Sequence, residues 1–162
     1  MVRPDRRQAV VYGDRATRWV NGKTNIQSSR MTRSRTISVS ISASPEQVYE
    51  FAGNPANLPK WAPGFVQSIS NRDGKWVAAT TIGEVTFNFA QRNSLGVLDH
   101  GVTLPSGETS SNPMRVVANG KGSEVLFTLF QQPPMTEAEF ARDTQTVLRD
   151  LVGRRHGLHR GD

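Results

Sequence analysis

The 162-residue sequence predicts an α+β domain in which a curved, seven-stranded antiparallel sheet wraps around a long C-terminal helix, with two short helices after the first strand. An alternating strand, Thr36 to Ala43, runs directly into a capped helix. Short alternating segments follow one after another, and an amphipathic helix closes the chain from Thr136. Hairpin-length connections between the middle segments favour antiparallel pairing, because a parallel sheet needs a crossover between strands.

Residues 36–43 place Ile37, Val39 and Ile41 on one face and hydroxyls on the other, the pattern of a half-buried strand. Ser44 then supplies an N-cap, Pro45 is tolerated at the first helical position, and Gln47 completes a capping box. Val48, Phe51 and Ala52 form the apolar face of this helix, which Gly53, Asn54 and Pro55 end. A second short helix is expected from Pro55 to about Leu58, stopped by Pro59, with Trp61 in a proline-framed loop.

Extended structure resumes from Phe65 to Asn71, and Asp73-Gly74 marks a tight turn into Lys75–Ile82. Val85, Phe87 and Phe89 alternate with Thr86, Asn88 and Ala90. Further strands are expected at Gly96–Leu104, Met114–Ala118 and Glu124–Phe130, the last pair joined by the hairpin signal Asn119-Gly120-Lys121-Gly122. Thr136 and Glu139 form the capping box of the last helix, Met135 and Phe140 its hydrophobic staple, and Phe140, Val147, Leu148 and Leu151 its apolar stripe.

The charge is unevenly placed. Residues 1–35 carry nine basic and two acidic side chains, a net +7, whereas residues 36–162 carry eleven and twelve, a net −1. The basic signal therefore belongs to the leader, whose sparse apolar residues cannot offset the entropy of ordering it. Residues 1–35 read as a disordered leader or a spurious extension with translation starting at Met31, residues 36–155 as one folded domain, and residues 156–162 as a frayed tail. A transit peptide and an electrostatic nucleic-acid arm are the other readings of the leader. A secretory signal is excluded, since Ala9 to Tyr12 falls short of the ~7 apolar residues such a signal needs.

No run approaches the ~18 apolar residues of a membrane span. With no cysteine, the chain has neither disulfides nor a thiolate nucleophile. A cytoplasmic protein is expected, with no nucleic-acid partner and no stable membrane insertion.

The strand-to-helix entry ISVSISASPEQVYEF (37–51), the aromatic loop NPANLPKW (54–61), the consecutive strands and the closing helix together resemble the START and polyketide-cyclase (SRPBCC) superfamily. The segments GVLDH (96–100), NPMR (112–115) and GSEVLFTLF (122–130) are similar to a bacterial, cyclase-like branch of it. The resemblance covers about residues 36–152 and implies the helix-grip fold, with a cavity between sheet and last helix. It selects no single chemistry, because lipid carriers, receptors and aromatase/cyclases share the fold.

The sequence has no metal-ligand spacing, phosphate loop or serine-nucleophile motif, and His156 and His159 read as tail residues; no metal or cofactor is expected. Asp99 and His100 are the most chemically suggestive neighbours. Leu98, Val102 and Leu104 share His100's parity, which turns the imidazole inward and Asp99 outward unless a bulge intervenes. His100 is the candidate catalytic residue, able to orient a hydroxyl or carbonyl or to transfer a proton; a structural histidine is the alternative. Trp61, Trp76, Phe87, Phe89, Met114 and Phe140 are the candidate apolar ligand contacts and Arg92 the candidate anchor for an anionic group. Parity sends Arg115 to solvent, and Glu139, Asp143 and Asp150 read as the charged face of the last helix.

Two functions fit these residues. The chain binds a small hydrophobic or aromatic molecule, polyketide- or lipid-like, in an internal cavity, or it is a polyketide cyclase/dehydratase-type enzyme using His100 as general acid or base.

Overall fold

The computed structural model describes residues 31–153. The leader up to Arg30, together with His156, His159 and the terminal Arg160, Gly161 and Asp162, lies outside the described residues. The chain order is β1 (Ser34–Ile41), α1 (Pro45–Gly53), a 3₁₀ turn (Pro55–Asn57), α2 (Leu58–Trp61), β2 (Val66–Arg72), β3 (Lys75–Thr80), β4 (Gly83–Phe89), β5 (His100–Thr103), β6 (Thr109–Asn112), β7 (Met114–Asn119), β8 (Gly122–Phe130) and α3 (Glu137–Gly153). This is the helix-grip arrangement: antiparallel strands, two short helices after β1 and a long last helix.

Local chemistry accounts for the helix starts. The Gln47 amide donates to the Ser44 hydroxyl and the Ser44 amide to the Gln47 side chain, closing the capping box of α1. Thr136 and Glu139 exchange the same pair of bonds at α3. Pro59 does not stop the second helix but sits inside its first turn, where a missing N–H removes no intrahelical bond.

The described residues contain eight strands where the sequence suggests seven, and they divide between two sheets, β1-β8-β7 and β2-β3-β4-β5-β6. The additional strand, β6, pairs with β5 in the register Thr103↔Thr109 to His100↔Asn112. Its sequence, Thr109-Ser110-Ser111-Asn112, lacks any apolar alternation. Pro113 separates β6 from β7 and offers no N–H to continue a ladder, so the chain changes sheet there.

The sheets are stitched at this point by the bridge Val97↔Arg115, with Leu98 N donating to Met114 O at 2.9 Å and Val116 N to Gly96 O at 2.9 Å. Gly96 is required for the approach. Its φ is +69°, and a Cβ there would lie 2.1 Å from the Val116 carbonyl oxygen.

The core lies on the concave side of both sheets. Val39 and Ile41 of β1, Val85 and Phe87 of β4, Val116 of β7, and Val125 and Phe127 of β8 are buried, together with Leu58 and Trp61 of α2 and Phe140 and Leu151 of α3. β8 alternates between buried and half-buried along its whole length, as expected of the central strand of its sheet. Among the described residues no helix is long and apolar enough to cross a membrane.

Candidate functional site

A half-open cavity of about 400 Å³ lies between the concave sheet, α2 with its following loop, and α3. Its inner wall is made of buried side chains: Leu58 and Trp61 from α2, Phe87 from β4, His100 and Val102 from β5, Phe127 from β8 and Leu151 from α3. The more exposed lining residues, Gly64, Thr81, Ile82, Gln132 and Asp143, mark the open side. Asp143 and Asp150 are the charged lining residues among those described, and neither lysine nor arginine joins them.

The strand pattern explains why a polar ring occupies an apolar wall. His100, Val102 and Leu104 follow alternate positions from the start of β5 and all reach the cavity. Asp99 turns the other way, where its carboxylate pairs with Arg115 and accepts the Met114 N–H at 2.8 Å. Partial burial pushes the Asp99 carboxyl up, but Arg115 and the Met114 N–H outweigh it and hold it below the usual range. Asp99 therefore stays ionised and engaged on the far side of the strand.

His100 is 6% exposed and ringed by aromatic groups. Ring centroids lie 6.3 Å away for Trp61 in an edge-on arrangement, 6.0 Å for Phe87, 5.4 Å for Phe89 and 5.8 Å for Phe127. Its Nδ1 is 3.0 Å from the Leu98 carbonyl oxygen. Burial pulls its pKa below the ordinary value, against smaller opposing effects from that carbonyl and from Asp99. The imidazole is neutral at neutral pH. Nearby, the Trp61 indole Nε1 is buried with no partner among the described residues.

The structure brings Trp61, Phe87 and His100 to the cavity and distributes the other candidates elsewhere. Phe89 stacks on Phe87 at 5.9 Å and backs His100. Trp76 pairs across the ladder with Phe87, half-buried. Met114 is buried opposite Phe127, between β7 and β8. Phe140 is buried at the start of α3 with the Arg35 guanidinium 5.9 Å from its ring centroid. Arg92 forms an exposed pair with Glu50 of α1, so its charge is directed away from the cavity.

Sequence reasoning misses the contribution of α3's polar residues. Asp150 is not on a purely solvated face: both its carboxylate oxygens accept the Gly64 N–H, at 3.1 Å each. A Cβ at Gly64 would meet Thr146 Cγ2 at 2.8 Å and the Asp150 carboxylate at 2.9 Å, so the loop after α2 lies directly on the helix. Asp143 is open to solvent yet crowded enough by protein to raise its carboxyl above the usual range; the solvent contact keeps that effect secondary.

Antiparallel strands in two joined sheets gripping a long helix, with a largely apolar cavity between, define a helix-grip protein. Residues 32–154 match the family described as polyketide cyclase / dehydrase and lipid transport, and the chain belongs to that family. Its fold is similar to truncated norcoclaurine synthase from Thalictrum flavum, at 15% identity and a TM-score of 0.59, covering 82% of this chain and 96% of that one. It is also similar to a START superfamily protein from Mycobacterium smegmatis, at 14% identity and a TM-score of 0.55, covering 77% and 98%. The Aha1 dimer from Colwellia psychrerythraea aligns at 16% identity and a TM-score of 0.62, covering 80% and 98%. At these identities the likeness concerns the fold alone. No curated protein matches the sequence significantly.

Proposed function

We propose that this chain binds a small, mainly apolar or aromatic molecule in the cavity between the sheet and α3, using residues 36–155 as the binding domain. The observation that carries this reading is the cavity itself: about 400 Å³, walled by aromatic and aliphatic side chains, with His100 as the titratable group on its inner wall. Apolar burial supplies the affinity and the few polar groups orient the ligand. The family's span of cyclases, dehydrases and lipid carriers is compatible with this, since each handles an apolar molecule.

The cyclase or dehydratase reading makes His100 a general acid or base. Two features weigh against it. His100 Nδ1 is held by a neutral carbonyl and not by a carboxylate, so the carbonyl and the charge of Asp99 favour an imidazolium only weakly, and the burial that lowers its pKa outweighs them.

The deciding experiment is native mass spectrometry of the full chain beside a version beginning at Met31. A co-purified small molecule in both supports the binding reading and assigns it to the domain. Protein that is empty in both, and whose melting temperature does not respond to neutral aromatic compounds at high concentration, overturns it. If turnover of a polyketide substrate were found and lost in His100→Ala, the enzyme reading would replace it.

A further inference from the structure

We infer that His100 makes the cavity select molecules that present an uncharged hydrogen-bond donor, such as a phenol or alcohol, over the matching ether, ketone or carboxylate. The inference rests on the cavity-binding reading and adds the chemistry of the recognised group.

The argument begins with the 3.0 Å contact between His100 Nδ1 and the Leu98 carbonyl oxygen. A carbonyl oxygen only accepts, so the contact is a hydrogen bond only if Nδ1 carries the proton. In a neutral imidazole the other nitrogen, Nε2, is then a lone-pair acceptor. The ring is enclosed by Trp61, Phe87, Phe89 and Phe127, an environment that disfavours the charged form in which both nitrogens would donate. Leu98 is only two residues away on the same stretch of chain, so the tautomer is set before any ligand arrives.

Nε2 has no protein partner among the described residues, and the His100 side chain lines the cavity. Among the buried side chains of the inner wall His100 Nε2 is thus the open acceptor; other polar lining residues, among them Ser110, Asn112, Thr146, Asp143 and Asp150, are less buried. A ligand hydroxyl donates to Nε2. An ether or ketone oxygen brings a second lone pair against Nε2 and leaves both acceptors unpaired, since the unpartnered donor nearby, the Trp61 indole N–H, is itself buried, and a carboxylate adds charge where no described lysine or arginine lines the cavity to receive it. The discrimination is that of a site whose buried polar group is left unmatched by the wrong analogue.

Three probes of one shape test this by calorimetric titration of the full chain at neutral pH: 2-naphthol, 2-methoxynaphthalene and 2-naphthoate. In the unaltered chain 2-naphthol binds about 10-fold tighter than the ether, although the ether is the more apolar molecule, and the carboxylate is weakest. In His100→Phe, which keeps a planar ring, the hydroxyl preference disappears or reverses; in His100→Gln, whose side-chain oxygen is again an acceptor, part of it returns. Equal binding of naphthol and ether in the unaltered chain overturns the inference while leaving the cavity reading intact, as does an unchanged ratio in the Phe variant. Failure of all three probes to bind overturns the cavity reading and this inference together.

A second measurement needs no variant. Long-range ¹H–¹⁵N spectra of the full chain report the tautomer directly. Nε2 in the unprotonated range, for the histidine whose signals move on adding 2-naphthol, supports the inference, and a protonated Nε2 at that histidine overturns it.

Discussion

His100 couples stability to pH in a direction its surroundings dictate. Burial lowers its folded-state pKa beneath the unfolded value of about 6.5. The neutral form is thus favoured by folding: its contribution is fully present above pH ~6.5, declines as pH falls past that value, and is lost once the folded pKa is passed. Asp99 is the charged neighbour that opposes this, and its own charge is largely engaged by Arg115. Urea unfolding between pH 7 and 5 should show stability falling by at most about 1.4 kcal/mol per pH unit from this one group, and His100→Phe should flatten the slope. A variant with the same slope as the unaltered chain would remove His100 as its source. Trp61 provides a second test, because its buried indole N–H is unpartnered among the described residues. Replacing it with Phe removes a donor whose desolvation costs ~1–3 kcal/mol, which offsets much of the lost apolar contact. Chemical denaturation should register a net loss below about 1 kcal/mol; a loss above ~3 kcal/mol would mean the indole is satisfied after all.

Elements whose cause is local are legible in the sequence, and those whose cause is distant are not. Both capping boxes can be read from four consecutive residues because every bond they make lies within one turn. β6 escapes notice because Thr109 to Asn112 carry no apolar periodicity; they become a strand by pairing with β5 at the edge of the sheet. Alternation tells which face of a strand a side chain takes but not its depth along that face. Phe87 and Phe89 share a parity, yet Phe87 reaches the cavity and Phe89 supports it from behind. The same limit separates Met114 of β7 from the cavity lining, and helical spacing likewise marks Phe140 of α3 as buried without telling that it lies outside that lining. Asp150 is the sharper case, since helical spacing places it among charged residues while its hydrogen bond to Gly64 spans 86 positions. Gly64→Ala tests that contact. The added methyl meets the side-chain ends of Thr146 and Asp150, so these must turn aside and the bond from Gly64 to the Asp150 carboxylate is weakened or lost, at a cost of about 1–3 kcal/mol. Thermal unfolding should show the loss, and an unchanged melting temperature would mean that the contact yields freely.

At the scale of the whole molecule, two sheets act as one cavity wall because they are joined where β5 approaches β7. Pro113 ends one ladder, and the bonds from Leu98 to Met114 and from Val116 to Gly96 tie the segment just before β5 to β7. Gly96 makes this junction possible twice over, through its positive φ and through the absence of a side chain against the Val116 carbonyl. Gly96→Ala should therefore cost at least ~2 kcal/mol, more than an exposed glycine replacement elsewhere. Gly107→Ala, also at positive φ but with nothing within 4 Å of its added carbon, is the control that separates backbone strain from the lost approach. Equal losses at the two positions would show that the junction tolerates a side chain.

The Gly64 amide, finally, is a built-in reporter. It is released when the Asp150 carboxylate turns away or the loop after α2 parts from α3, and both residues line the cavity. The rate at which this single proton is replaced by solvent deuterium therefore times movement at this edge of the cavity, and a resident molecule that steadied Asp150 or the loop would slow the clock.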